Sequence, residues 1–419
     1  MEERSVLAME TNRGSVPAEA APASVMRDKA FVALLCAATL SRLGDVCFMV
    51  ALPWLVLKAT GSTALLGLVL TAFAVPRATL MLVGGAFSDR YDSRAILVAV
   101  SLCQALSVFL IGTASLASRS GISYVVLCII VFGLADAFVP SATKVYLTSL
   151  IVRERLRDAT AILQSATQVC LIGGSAVAGL LVSRFGLREV FIFDALSYLP
   201  YAVTVFVLRT TRKGAAGKGG LGKSIMEGLR HVLVERSLLM IVGAVAAVNF
   251  CIPAVTELGL VSISASRYGS ASVFGGVVTC VGLGSLAGLW CAKTVAKGLS
   301  IRVAMAGTIA GLSLCVAALI QRVPVWSLYV EGALLGALAG YINLHVSIWL
   351  QLNVRSDMLG RVMSVVAFSS AAAAPVSLMA GGFLAGSGMT WLFLSASVTL
   401  AVVAVVVGSS GRFGVQWAQ

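Results

Sequence analysis

Apolar residues run in blocks along this chain, and polar residues collect in the gaps. The blocks occupy 31–57, 62–85, 95–117, 122–147, 158–183, 190–208, 237–258, 270–291, 303–320, 324–350, 359–384 and 389–410. Each is near the roughly 20 residues that a helix needs to cross bilayer hydrocarbon. They lack the strict alternation of barrel strands and are too long for them. In lipid the backbone groups of a segment pair within it, so the blocks are expected as helices. The pattern predicts an all-α polytopic membrane protein with twelve transmembrane helices, numbered here as spans 1 to 12.

Composition agrees. The chain is 59% hydrophobic and 12% charged, against about 25% charged in soluble domains. No water-soluble core absorbs that much apolar sequence. The net charge of +13 suggests nucleic acid until its distribution is followed. Twelve spans put both termini on one side of the membrane. That side carries Arg90, Arg94, Arg153, Arg155, Arg157, Lys213, Lys218, Lys223 and Arg361, among others, while the other holds Lys58, Arg119, Arg184, Arg188, Arg267 and Arg322. Basic residues stay in the cytoplasm during insertion. The charge is thus a topology signal, both termini are expected in the cytoplasm, and no nucleic-acid partner is expected.

The chain divides around a basic, glycine-rich stretch. A cytoplasmic tail covers 1–29, a first six-helix bundle 30–208, a linker 209–236, a second bundle 237–410 and a short tail 411–419. The tail is not a cleavable signal peptide, because the apolar run after it is too long. The linker contains KGAAGKGGLGK (213–223), followed by SIMEGLRHVLVE (224–235). In the latter, Ile225, Leu229 and Val232 share one helical face, which suits either the membrane surface or a solvated connector. The halves repeat weakly: LGLVLTAFAV (66–75) against FGGVVTCVGL (274–283), and Pro53 in span 1 against Pro253 in span 7. Two pseudo-symmetric six-helix bundles are the expected architecture.

The gap between spans 2 and 3 reads GGAFSDRYDSR (84–94). Gly85, Asp89, Arg90 and Arg94 resemble the signature loop of the major facilitator superfamily, with Asp92 in place of a family glycine and Ser93 in place of a basic residue. The Asp-Arg-Tyr-Asp form resembles the macrolide-efflux branch of drug:proton antiporters. So do SRLGDVCFMVALPWLVLKATGS (41–62), FVPSATKVYLTSLIVRERLRDA (138–159) and FDALSYLP (193–200). The span 5 glycine motif of antiporters departs here: GSAVAG (174–179) has Ser175 where the family has proline. The resemblance implies two halves that rock about a midplane site, with Gly85, Asp89, Arg90 and Arg94 as a gating cluster that meets span 11. The bland alternative is a solvated turn with positive-inside arginines. The related loop KTVAKGLSIR (293–302) lacks an acid and predicts a weaker latch.

Ionisable residues within spans are expensive and mark candidate sites. Asp45 lies about 21 Å into span 1 at the helical rise, and Asp136 lies equally deep in span 4. A carboxyl in hydrocarbon can hold and release a proton, which suits a proton carrier. The competing reading pairs Asp45 with Arg42, three residues back. For Asp136 the competing reading is support of the latch through the loop arginines. Arg77 in span 2 can counter an acid or attract an anionic substrate. Asn249, Asn343 and His345 are candidate cavity residues, His345 doubling as a packing histidine. Asp194, Glu257 and Glu331 are expected near outer ends in structural roles. The nine cysteines all fall in apolar runs and read as reduced packing residues.

No phosphate loop, metal cluster or nucleophile–base pair is legible, so no enzyme, metal or cofactor is expected. The leading reading is a secondary exporter of amphipathic small molecules, macrolide-like drugs or a natural product, in a bacterial inner membrane. Its expected partners are the small-molecule substrate, protons and lipid, and it is expected as a monomer. Two alternatives stay open: an exporter of an anionic metabolite such as a siderophore, and a membrane sensor or scaffold without turnover.

Overall fold

The computed structural model describes residues 25–114, 119–208, 230, 232–295, 300–321 and 324–409, without the side chains of 82–90, 119–120, 153, 293–295 and 356–357. Most of the linker, the two tails, the centre of the 293–302 loop and the side chains of Gly85, Asp89 and Arg90 therefore lie outside the described residues.

Twelve helical segments are long and apolar enough to cross a membrane. They are Lys29–Thr60, Thr63–Met81, Ser93–Thr113, Gly121–Leu150, Leu156–Phe185, Leu187–Val207, Arg236–Tyr268, Ala271–Ala292, Ile301–Ala318, Val325–Asn353, Met358–Ser387 and Met389–Ser409. The helix of span 2 itself continues to Arg90. Local chemistry sets the ends. Span 1 starts on Asp28, whose carboxylate accepts from the Ala30 N–H at 2.9 Å. It ends at Gly61, which turns left-handed at φ 64° and returns its N–H to the Leu57 carbonyl, a conformation glycine adopts without a Cβ clash. Asp92, which stands where the resemblance expects glycine, caps span 3 by accepting from the Arg94 N–H at 3.1 Å.

Two spans depart from straight helices. Span 4 is broken into Arg119–Asp136 and Val139–Leu150. Pro140 sits in the first turn of the second piece, where its missing N–H costs nothing. Asp136 thereby becomes the last residue of the first piece. Span 7 runs from Arg236–Pro253 through a π-helical turn, Ala254–Gly259, into Leu260–Tyr268. The extra width follows Pro253, and the Ala254 N–H donates both to the Cys251 carbonyl of its own helix and to the Ser377 hydroxyl of span 11, the latter at 3.1 Å. The apolar pattern of span 7 stops at 258, yet the helix continues ten residues further. Ser264 and Ser266 donate their hydroxyls to carbonyls four residues back, so these polar positions are satisfied within the helix.

Packing partners repeat with an offset of six. Span 1 lies against spans 5 and 6, span 2 against 4, and span 3 against 4 and 6. Span 7 lies likewise against 11 and 12, span 8 against 10, and span 9 against 10 and 12. The halves meet along two equivalent seams, span 2 with 11 and span 5 with 8. Glycines let the backbones touch there. A Cβ on Gly67 would lie 2.6 Å from the Cα of Gly382, and one on Gly179 would lie 2.8 Å from the Ala271 carbonyl oxygen. Both contacts sit toward the ends of the spans that carry the 1–2, 5–6, 7–8 and 11–12 connections. The molecule is therefore closed on the face opposite the start of span 1.

Candidate functional site

A cavity of about 550 Å³ lies in the first half. Span 1 supplies Ser41, Arg42 and Asp45, span 3 supplies Gln104, span 4 supplies Asp136, Thr143 and Lys144, and span 6 supplies Tyr198 and Tyr201. Thr160, Gln164 and Thr167 of span 5 form another wall. The lining reaches Thr148 and Leu156 at the turn between spans 4 and 5, so the cavity opens toward the face that holds the start of span 1.

Two ion pairs adjoin it: Arg42, Asp45 and Asp136 line it, and Arg77 reaches Asp136 from outside the lining. Arg42 Nη1 lies 2.9 Å from Asp45 Oδ2. The two are three residues apart on one helix, so they share a face. The other oxygen of Asp45 accepts from the Tyr198 hydroxyl of span 6. The second pair joins two helices: Arg77 Nε of span 2 lies 2.8 Å from Asp136 Oδ2. Gln104 of span 3 donates to the other Asp136 oxygen at 3.4 Å, and the Arg77 guanidinium rests over the Phe73 ring at 5.5 Å. Asp45 and Asp136 keep 20% and 12% of their side-chain surface accessible, against 40% and 45% for their arginines. The carboxylates are thus seated and the cations face the open space. Removing an acid leaves a half-exposed arginine, while removing an arginine strands a mostly enclosed carboxylate, the costlier defect.

These four residues are sequence candidates that the fold brings together. Of the two readings for Asp45, the Arg42 pair is formed; of those for Arg77, it counters an acid. The remaining candidates lie elsewhere. Asn249 donates to the Val245 carbonyl of its own helix at 2.9 Å. His345 is buried, with Nδ1 3.1 Å from the Tyr341 carbonyl and its ring 4.2 Å from the Tyr341 ring. Asn343 is exposed. None of the three lines this cavity. Arg94 reaches span 6, where Nε donates to the Val205 carbonyl at 3.1 Å and Nη2 to that of Phe206. These are carbonyls at a helix C-terminus, where a cation is favoured.

Tyr198, Tyr201, Gln104 and Gln164 were not picked out from sequence. Tyrosine and glutamine occur on both cavity-facing and packing surfaces, and only the seating of span 6 against span 1 selects these. Glu257 is exposed on the π turn although Val255 and Leu258 beside it are fully buried, and it lies within electrostatic reach of Arg77 in the other half. Its expected position near an outer end becomes a mid-helix one, because span 7 continues to Tyr268. None of the nine cysteines is in a disulfide, and Cys36 and Cys291 are exposed. Among the described residues no group of His, Cys, Asp and Glu could hold a metal.

Comparison with known proteins agrees with this architecture. The chain is 24% identical over 389 residues to the multidrug efflux pump Tap of Mycolicibacterium fortuitum, covering 89% of this chain and 93% of that protein. Its fold is similar to a solved structure of the nucleoside transporter NupG, with TM-score 0.71 and 12% identity over 90% of this chain and 98% of that one. A bacterial homologue of the iron transporter ferroportin in an inward-facing state gives TM-score 0.71 and 14% identity, over 92% of this chain and 100% of that one. A bacterial homologue of the lysosomal transporter Spinster, inward-facing and occupied, gives 0.68 and 14%, over 91% and 96%. The family model described as the Major Facilitator Superfamily matches residues 34–377. With its twelve spans, its repeated halves and that match over most of its length, the chain is a multi-pass membrane transporter and belongs to the Major Facilitator Superfamily.

Proposed function

We propose that this transporter is a secondary exporter of amphipathic small molecules, driven by proton entry and working by alternating access. The observation that carries the reading is the cavity of about 550 Å³, within the range of small-molecule sites, lined by the ion-paired acids Asp45 and Asp136. The similarity to a protein named as a multidrug efflux pump supports export. The positive-inside distribution supports both termini in the cytoplasm of a bacterial inner membrane. On that threading the conformation is open inward, with the glycine seams closing the outer face. A monomer suffices, since both seams lie within one chain.

The chemistry follows from the pairs. A proton on Asp45 or Asp136 cancels the charge that holds its arginine, and the freed cation swings into the cavity. A substrate seated beside the ionised acid prevents reprotonation until the halves rock. Proton and substrate then exclude each other from one site, which is the requirement for antiport. A second reading, export of an anionic metabolite, is favoured by Arg42 of span 1 and Lys144 of span 4, which both line the cavity.

The test uses purified protein in liposomes with a trapped pH dye, offered macrolides or catecholate siderophores. The reading expects a substrate-triggered pH change that disappears in Asp45→Asn or Asp136→Asn. Binding without any pH change would reject proton antiport. A response to siderophores alone would move the assignment to the anionic reading.

A further inference from the structure

Behind the Asp45 pair lies a third carboxyl that the cavity does not reach. Asp194 of span 6 is 0% exposed, and neither of its oxygens has a hydrogen-bond partner of normal geometry among the described residues. The Ser197 hydroxyl, one turn along, is equally buried and equally without a partner. Both groups press against the Cα of Gly44, where the first atom of any side chain would collide with them. Gly44 immediately precedes Asp45. Tyr198, beside Ser197 and one turn from Asp194, donates to Asp45. Aromatic rings pack nearby on the same helices: Phe48 stacks on Phe132 at 4.7 Å and meets Phe191 edge-on at 6.1 Å, and the Phe132 and Tyr198 rings lie 6.5 Å apart.

An ionised carboxylate is not kept in such a place without a counter-charge or donors. The groups around it supply no counter-charge, and the donor beside it is the single neutral hydroxyl of Ser197. Span 1 faces it with Asp45 and the Cys47 thiol, and its own span with Tyr198. Arg42 is engaged by Asp45. On span 5, Cys170 faces the Thr39 carbonyl and Arg42. On span 3, Arg94 is tied to carbonyls at the far end of span 6, and Cys103 is half-buried. A neutral acid resolves both vacancies at once, because its O–H can donate to the Ser197 hydroxyl beside it.

We propose that Asp194 is a second proton-binding site, loaded in this conformation, that exchanges its proton with Asp45 through the Tyr198 hydroxyl. The exchange balances without any further reactant once the Tyr198 hydroxyl, which meets Asp45 here and makes no hydrogen bond to Asp194, turns toward Asp194. Asp45 receives the Tyr198 proton, Tyr198 takes the Asp194 proton, and the charge moves from Asp45 to Asp194. The inference deepens the antiport reading and rests on it for its role in transport, though not for the protonation itself.

The first experiment is the infrared difference spectrum of resting wild-type protein against Asp194→Asn at neutral pH, each checked for folding by thermal melting. A protonated-carboxyl band belonging to Asp194 is expected; its absence overturns the proposal. Tyr198→Phe keeps the carboxyl and removes the link. Its spectrum is expected to retain the band while the band's shift into D2O slows several-fold, and an unchanged exchange rate overturns the route. This variant also decides the matter if Asp194→Asn does not fold. In proteoliposomes with one pH unit imposed, each coupled proton supports about a tenfold substrate gradient. Asp194→Asn is then expected to accumulate erythromycin about tenfold less than wild type, and equal accumulation overturns the coupling. Wild type that fails to accumulate it at all counts against the exporter reading, while the infrared band still decides Asp194.

Discussion

The two halves share a packing plan and differ in chemistry. Among the described residues, both intramembrane ion pairs and every residue lining the large cavity belong to the first half. The matching part of the second half is built for contact. Spans 8 and 10 touch backbone to backbone, with Gly284 and Gly288 against the Ala333 and Ala337 carbonyls, and Gly336 against that of Val281. A duplicated fold therefore need not duplicate its site. One half holds the charges, and the other supplies close-packed helices against which the first can move. Glu257 and Glu331 are carboxyls within spans of the second half, and Glu257 lies within reach of the first half's Arg77.

The largest expected effect breaks this asymmetry outright. Asp45→Asn or Asp136→Asn should abolish substrate-driven proton movement, whereas Asn343→Ala and His345→Ala should retain at least about half of it, since residues outside a site matter little to it. Dye-loaded liposomes read both, and a second-half variant as inactive as Asp136→Asn would refute the one-sided site. Next comes the seam. Gly67→Val forces a side chain into span 11 and should cost about 1–3 kcal/mol by overpacking, seen as a lower melting temperature. The same substitution at Gly243, where an added Cβ meets nothing within 4 Å, should change melting little. A double-mutant cycle on Arg77 and Asp136 should return a coupling of about 1 kcal/mol. That is nearer a surface pair than a buried one, because Arg77 is half exposed. The smallest effect belongs to the ends: Asp92→Ala should lose about 1 kcal/mol for the span 3 cap, without altering which half binds substrate.

The twelve spans were legible because a 20-residue apolar block has a single outcome in lipid. The Arg42–Asp45 pair was legible for a similar reason, since a spacing of three fixes proximity on a helix. The break in span 4 was not anticipated. Pro140 is visible in the sequence, but proline inside span 1 at Pro53 leaves that helix unbroken. The length of span 7 was underestimated because hydropathy counts serine as polar, and it takes the helix backbone to absorb Ser264 and Ser266. Tyr198 was passed over because its partner Asp45 lies 153 residues away.

Sequence by itself determined the solvent, the number and class of the elements, the expected sidedness and which few charges had to be accounted for. Each of these depends on composition within one helix length or on charge summed over loops. Only the tertiary structure decided which charges meet. Arg77 belongs to Asp136 and Tyr198 to Asp45, while Asp194 is enclosed against Gly44, because helix faces acquire neighbours only when spans distant in sequence are seated against one another. The same seating decided which face is closed, since Gly67 and Gly382 reveal their purpose only where two backbones touch.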